Sequence, residues 1–210
     1  MVKYNKGTQF LQIGKVIEMS KKVILLLGDY TEDYEAMVPF IFLKTLGYIV
    51  HAVCPNKKAG EIVKTAIHDF EGDQTYSEKR GHNFTLNMDF DKLNLEEYDG
   101  LYISGGRSAE YLRLDSNVVN MVKYFLENNK PLAAICHGPQ ILVATGLLKN
   151  RNLTAYPTVK PEIEACGGNF ISLEGDKAVV DNNLVTSQSW AAHTSILSEF
   201  IKILGIKIEI

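Results

Sequence analysis

The hydrophobic positions of the chain form short apolar runs that alternate with segments of helical periodicity. Near-continuous apolar runs are typical of parallel strands that are covered on both faces. Such runs lie at 22–28, 48–53, 101–104 and 131–135, and shorter ones lie at 178–180 and 184–187. Between them, apolar residues recur at helical spacing, and Asp115 is placed to cap one of the intervening helices. The alternation predicts an α/β fold with a mostly parallel sheet and helices on both faces.

Three segments need separate interpretation. Pro39 lies inside the first helical pattern, so we expect it to kink that helix or to divide it into two pieces. From 54 to 90, mixed polarity with Gly, Asn and Asp predicts short strands and loops. The chain contains no repeat or linker, so we interpret 21–210 as a single domain and 1–20 as an amino-terminal extension.

Composition narrows the classes of function. The 210 residues carry a formal net charge of −3, which provides no general basic surface for nucleic acid or anionic lipid. The three cysteines are widely separated and form no Cys-x-x-Cys pair, so they favour neither a disulfide framework nor a zinc site. The sequence contains neither a signal-peptide core nor an apolar run of membrane-spanning length. We therefore expect a cytoplasmic protein that binds neither nucleic acid nor a membrane.

The apolar run at 131–135 leads directly into Cys136, and the residues at about 137–144 predict a helix. A cysteine on such a turn has the layout of a nucleophile elbow, which exposes its side chain at the carboxyl edge of a sheet. The unpaired N–H groups at the start of the helix would favour the thiolate form. The alternative is a buried core cysteine, which is common after an apolar run. The local pattern leaves both interpretations open.

Ligands bind at the carboxyl ends of strands in open α/β sheets, and this rule selects two further loops. The loop at 28–35 has four carboxylates, Asp29, Glu32, Asp33 and Glu35. They could simply complement a helix dipole, or one of them could face the thiol and act as an acid or base. The loop at 104–110 contains Gly105 and Gly106, whose N–H groups can approach an oxyanion closely. A Gly-Gly pair is equally compatible with an ordinary turn.

Four collinear stretches carry a resemblance to a known family. They are Gly-Asp-Tyr-Thr-Glu-Asp-Tyr-Glu-Ala-Met-Val-Pro at 28–39, Gly-His-Asn-Phe-Thr-Leu-Asn at 81–87, Ser-Gly-Gly-Arg-Ser-Ala-Glu-Tyr-Leu at 104–112 and Ala-Ile-Cys-His-Gly-Pro-Gln-Ile-Leu at 134–142. These stretches resemble the ThiJ/PfpI family, also called DJ-one, of the class I glutamine amidotransferase-like superfamily. The first two stretches are most similar to the family's plant D-type glyoxalases, which repeat the unit twice. The resemblance implies a flavodoxin-like three-layer sandwich with a nucleophile elbow.

The resemblance also implies roles for individual residues. By motif position, Cys136 is the nucleophile and Glu35 is the acid that faces the elbow. His137 matches the histidine that follows the cysteine in the peptidase-like members, and Glu110 matches a glutamate that these members take from a neighbouring subunit. Tyr156 occupies the place of a histidine found in another branch, which favours the peptidase and glyoxalase branch. No His-x-Glu pair completes an amidotransferase triad, so amidotransferase activity is not expected.

Three functions agree with these residues. The first is a glutathione-independent glyoxalase that converts methylglyoxal to lactate without a cofactor, with oxyanion contacts from Gly105 and Gly106. The second is an intracellular cysteine peptidase or deglycase, and the third is a redox-sensing chaperone in which Cys136 is oxidised. We expect a small dicarbonyl substrate, no metal, and a homo-oligomer (dimer, trimer or hexamer). His82 and His193 are interpreted as structural.

Overall fold

The computed structural model describes residues 21–205, in which strands and helices alternate. The strands are β1 (Lys22–Leu26), β2 (Thr31–Glu32), β3 (Ile49–Val53), β4 (Ile62–Asp69), β5 (Ser77–Thr85), β6 (Gly100–Ile103), β7 (Leu132–Ile135), β8 (Asn152–Leu153), β9 (Asn169–Phe170), β10 (Ala178–Asp181) and β11 (Leu184–Ser187). The helices are α1 (Asp33–Thr45), α2 (Ser108–Leu112), α3 (Ser116–Glu127), α4 (Pro139–Thr145), α5 (Lys160–Ala165) and α6 (His193–Ile203). The predicted extension at 1–20 lies outside the described residues.

The central sheet has six strands in the order β10-β11-β7-β6-β1-β3. All of its pairings are parallel except that of β10 with β11. Strand β7, which precedes the predicted elbow, lies between β11 and β6 in the interior of the sheet. The carboxyl ends of β1, β6 and β7 therefore lie side by side, as the sequence predicts for the three candidate loops.

Alternate residues of each central strand enter different cores, because successive side chains of a strand point to opposite faces. In β1, Ile24 and Leu26 pack with α3, α4 and α5, whereas Val23 and Leu25 pack with α1 and α6. The side chain of Asp115 accepts hydrogen bonds from the first turn of α3, as its position predicts. Helices thus cover both faces of the sheet, which confirms the predicted α/β class.

Strands β4 and β5 form a long antiparallel hairpin, and β2 pairs in parallel with β4. We call β4, β5 and the turn at 70–76 the hairpin arm. The prediction of short strands and loops at 54–90 is wrong here, because β4 and β5 have 8 and 9 residues. Strand β5 is mostly exposed, so its sequence lacks the apolar alternation that identifies a half-buried strand.

Helix α1 runs without interruption through Pro39. Of the two predicted outcomes, a division into two pieces is therefore wrong. Proline removes one backbone hydrogen bond from a helix interior. The ring of Pro39 is buried together with Ala36 and Leu43, so packing against the sheet offsets that loss.

Candidate active site

Cys136 lies on a tight turn between β7 and α4, with a backbone φ of 58°. This left-handed conformation is rare for residues other than glycine and turns the side chain away from the strand direction. Hydrogen bonds hold the turn, from Cys136 N–H to the Ser187 carbonyl (3.0 Å) and from Gly138 N–H to the Ile135 carbonyl (2.8 Å). A Cβ at Gly138 would lie 2.8 Å from the Ile135 carbonyl oxygen, so only glycine fits without displacement. The backbone therefore has the geometry of a nucleophile elbow.

His137 is the closest basic group to the thiol among the described residues, with its Nδ1 3.3 Å from the Cys136 Sγ. Burial lowers the pKa of His137 to about 4, with a smaller effect in the same direction from His68. The imidazole is therefore neutral at physiological pH, and a neutral ring nitrogen can accept a proton. His137 can thus serve as a base toward the sulfur.

The four carboxylates of the acidic loop have four different surroundings. Asp29 forms an ion pair with Lys57 (2.8 Å). Asp33 accepts hydrogen bonds from the Thr65 hydroxyl and the His82 backbone N–H, and His82 Nδ1 lies 3.1 Å from Asp33 Oδ2. Glu32 caps α1 by accepting from the Glu35 backbone N–H (2.8 Å). Three of the four are therefore engaged in holding structure together. These contacts also account for His82 as a structural histidine.

Glu35 is fully buried, and its Oε2 accepts a hydrogen bond from the Gly105 N–H (2.8 Å). Burial raises the pKa of this carboxyl well above its usual range, and the negative charge of Glu32 adds to the effect. Glu35 therefore keeps its proton to a higher pH than an exposed glutamate does. Among the described residues its Oε1 has no hydrogen-bond partner, while the carboxyl interacts with the Cys136 side chain. The carboxyl thus faces the sulfur, and its hydrogen bond with the Cys136 side chain lowers the pKa of Glu35, against the larger effect of burial.

The thiol differs from the expectation of an activated thiolate. Burial raises the pKa of Cys136, and a negative charge on Glu35 would raise it further. The N–H groups of Gly106 and His137 act in the opposite direction. Protonation of Glu35 removes the repulsion but not the cost of burial, so the resting form is the thiol. The prediction of a resting thiolate neglected this burial, since only 7% of Cys136 is exposed.

The two glycines of the second loop have different roles. Gly105 donates its N–H to Glu35, so this N–H is not free for an oxyanion, and the predicted oxyanion contact from Gly105 needs correction. Gly106 has a φ of 73°, and its N–H faces Cys136. A Cβ at Gly106 would overlap the backbone nitrogen of Glu32 and lie 2.7 Å from the Tyr30 carbonyl oxygen. The close backbone approach therefore requires glycine.

Glu110 is the one predicted site residue that the described chain does not bring to the thiol. It lies on α2 with its side chain exposed, and this side chain takes part in no hydrogen bond or ion pair within residues 21–205. Its predicted role involved a neighbouring subunit, so this position on the surface is compatible with that role. The contact itself stays a prediction.

Comparison with known proteins agrees with this geometry. The sequence profile of the DJ-1/PfpI family matches residues 21–203. This chain belongs to the DJ-1/PfpI family. It is 48% identical over 98% of its length to "Protein DJ-1 homolog D" of Arabidopsis thaliana, of which it covers 55%. It is 34% identical over 87% of its length to "Deglycase PH1704" of Pyrococcus horikoshii, of which it covers 99%.

The chain spans about half the length of the three Arabidopsis relatives that it matches. Among solved structures, Drosophila melanogaster DJ-1beta has a TM-score of 0.73 at 22% identity, covering 90% of this chain and 92% of that one. This likeness confirms the flavodoxin-like fold of the family.

The described part of this DJ-1/PfpI member contains no helix with the length and apolar character of a membrane span. In that part, no three His, Cys, Asp or Glu side chains are grouped as a metal ion would require.

Sequence reasoning missed the aromatic side chains around the thiol. Tyr156 stacks on the His137 ring with a centroid distance of 4.8 Å, and Tyr76 meets the same ring edge-on at 5.8 Å. The sequence marks Tyr156 only as the residue at another branch's histidine position, and it does not mark Tyr76. Tyr76 lies at the end of the turn of the hairpin arm, where a polar stretch carried no sign of a nearby site.

The raised pKa of Glu35 predicts a pH-dependent stability. In the unfolded chain Glu35 loses its proton near pH 4.5, whereas in the folded protein it keeps the proton to higher pH. Over that interval the folded state binds more protons, so the free energy of unfolding falls as pH rises. We expect Glu35→Gln to make this decline shallower in urea unfolding measured from pH 4.5 to 8. The matched variant Glu127→Gln, at an exposed position on α3, should keep the wild-type slope, and equal slopes for all three proteins would contradict a raised pKa.

Proposed function

We propose that this chain is a glutathione-independent glyoxalase that converts methylglyoxal to lactate without a cofactor. The observation that carries the proposal is the pairing of a nearly buried thiol with a neutral imidazole, with Sγ 3.3 Å from His137 Nδ1. Little of the thiol is open to solvent, since only 7% of Cys136 is exposed and Tyr76, Tyr156 and His137 pack against one another. Such a site suits a small aldehyde better than a folded peptide chain.

The reaction begins at the aldehyde carbon. Cys136 Sγ forms a bond to this carbon while His137 Nδ1 takes the thiol proton, and the carbonyl oxygen becomes an oxyanion. The Gly106 and His137 N–H groups face the sulfur and stabilise this charge. The imidazolium then returns its proton to the oxygen, which gives a neutral hemithioacetal and a neutral His137.

The second half is an internal redox exchange. His137 removes the proton from the former aldehyde carbon, which leaves an enediolate with its charge on the ketone oxygen. The hydroxyl proton of the first carbon passes to that oxygen, and the imidazolium returns its proton to the adjacent carbon. The product is a lactoyl thioester, in which the first carbon is oxidised and the second reduced. Water then hydrolyses the thioester and restores the thiol, so that methylglyoxal plus water gives lactate. In this scheme Glu35 keeps its proton and hydrogen bonds to the sulfur.

The deciding experiment measures methylglyoxal loss without glutathione, with D- and L-lactate resolved. We expect stoichiometric lactate, with one enantiomer in excess because the proton is delivered from one face of the enediol. The same preparation is assayed with peptide substrates and with glycated amino acids. Turnover of these substrates without lactate formation from methylglyoxal would refute the glyoxalase proposal.

A second candidate, hydrolysis of glycated or peptide substrates, has one specific observation in its favour. The deglycase of Pyrococcus horikoshii is matched over 99% of its own length, so this chain is comparable to a complete protein of that name. The same Cys136 and His137 would carry an acyl-transfer reaction. We also propose a homo-oligomer, in which the exposed Glu110 of one copy would approach the site of another.

A further inference from the structure

Three aromatic rings beside the thiol each contact the other two. The His137 ring stacks on Tyr156, with an interplanar angle of 25°. Tyr76 meets His137 at 72° and Tyr156 at 82°, with centroid distances of 5.8 and 5.4 Å. Tyr156 belongs to the body of the fold, and its N–H donates to the Cys136 carbonyl (2.9 Å). Tyr76 is the member of this cluster that comes from the hairpin arm.

A chain of contacts that starts at His68 fixes Tyr76. The ring of Tyr76 packs against His68 with a centroid distance of 4.6 Å. His68 Nε2 lies 3.1 Å from the carboxylate of Glu78, which in turn forms an ion pair with Arg107 (2.8 Å). The Trp190 indole N–H donates to the His68 carbonyl (3.1 Å), which ties β4 to the residues before α6. Tyr76 is therefore held between the hairpin arm and the site.

We propose that Tyr76 is a positioning residue that holds the His137 imidazole against the Cys136 sulfur. The activity part of this proposal rests on the glyoxalase reaction proposed above. Tyr156 covers one face of the imidazole, and Tyr76 limits its rotation and keeps water from its edge. Without the Tyr76 ring, His137 would have room to turn its Nδ1 away from Sγ.

The aromatic ring, rather than the hydroxyl, carries this role. Burial raises the pKa of Tyr76 to about 12, so the hydroxyl stays protonated and does not act as a base. Edge-to-face contact between aromatic rings does not require a hydroxyl. Tyr76→Phe should therefore retain the position of His137, whereas Tyr76→Ala should lose it.

The titration of His137 reports the difference directly. The charged or titratable groups that act on its ring are His68 on β4, Glu162 on α5 and the neighbouring Cys136. Burial is the largest cause of its low pKa of about 4. Removal of the Tyr76 ring admits water, so this pKa should rise toward the ordinary value near 6.5.

The kinetic arm compares kcat, KM and the pH profile of kcat/KM for methylglyoxal. For Tyr76→Ala we expect kcat to fall about tenfold, with a smaller change in KM. This loss is a fraction of the rate enhancement that a positioned general base usually provides. Activity should also decline between pH 7.5 and 5.5 in this variant, because His137 becomes protonated there. Tyr76→Phe should match the wild type in all three respects. The control Tyr124→Ala, at a half-buried tyrosine of α3 that contacts Phe125, should leave the profile unchanged.

The spectroscopic arm does not depend on the substrate. Histidine ring signals are titrated by NMR, and the His137 signal is assigned by its loss in His137→Asn. His193 serves as an internal reference, because burial on α6 also lowers its pKa to about 4. In Tyr76→Ala the His137 signal should titrate at higher pH while the His193 signal stays in place.

The outcomes separate the two proposals. A wild-type protein that does not convert methylglyoxal refutes the glyoxalase proposal, and the NMR titration then decides the role of Tyr76 alone. An unchanged His137 titration in folded Tyr76→Ala overturns the positioning role. Equal kinetic losses in Tyr76→Phe and Tyr76→Ala would also overturn it, because they would assign the effect to the hydroxyl.

Discussion

Replacement of Cys136 by serine is expected to lower kcat/KM for methylglyoxal at least about 1000-fold, the scale of loss seen when a covalent nucleophile is removed. The serine hydroxyl is a much weaker nucleophile than sulfur, and His137 is the only base at this side chain within the described residues. The loss should appear in kcat rather than in KM, because the thiol forms its bond during the reaction. Steady-state methylglyoxal consumption measures the effect.

Cys166→Ser provides the matched control. This second cysteine is half-buried, and its Sγ lies 3.8 Å from the Val143 carbonyl oxygen, away from the elbow. It should keep wild-type kinetics. Cys136→Ser should melt close to the wild-type temperature, since the two side chains have nearly the same size and adopt the same backbone. Substantial turnover by folded Cys136→Ser would refute a covalent mechanism.

Replacement of Gly106 by alanine is expected to destabilise the fold by about 3 kcal/mol or more, a size that points to backbone strain rather than a surface effect. Two causes add. The φ of 73° disfavours any Cβ by about 1–2 kcal/mol, and the new methyl group would also overlap the backbone of the acidic loop at Glu32 and Tyr30. For a chain of this length, the melting temperature should fall by roughly 6–12 °C.

Gly146→Ala separates the two causes. Gly146 has nearly the same φ, 72°, but a Cβ there would meet no atom within 4 Å. It should lose only the conformational part, about 1–2 kcal/mol. Thermal unfolding of the two variants side by side measures the difference. Equal losses would contradict a close approach of the glycine loop to the acidic loop.

The central sheet could be predicted from the sequence because its strands are short and almost wholly apolar. The runs ending near Leu26, Ile103 and Ile135 have no polar side of their own, which is a strong signal for a covered parallel strand. The hairpin arm gave no such signal. In β5, Phe84 is the only buried residue, so polarity indicates a loop although the backbone pairs as a strand.

The candidate site could be predicted only in part for a different reason. The sequence pattern does not distinguish the roles of the four carboxylates in the acidic loop. Motif position, rather than periodicity, singled out Glu35. Their surroundings decide what each does: Asp29 pairs with a lysine, whereas Glu35 forms no ion pair within residues 21–205, and burial raises its pKa. Contacts between distant segments, such as that of Tyr76 with His137, depend on where the hairpin arm lies, and no local pattern records this position.

The left-handed backbone of Cys136 has a consequence for which substitutions stabilise this chain. That conformation costs about 1–2 kcal/mol for a side chain with a Cβ, and the adjacent carboxyls of Glu32 and Glu35 are both buried with raised pKa values. Most random substitutions lower the stability of a protein. At Cys136, Glu32 and Glu35, however, some substitutions would remove backbone strain or a buried carboxyl and so raise it. Selection for the free energy of unfolding alone would favour replacement of these residues. Replacements there that raise stability at the expense of the site are therefore expected to be easy to find.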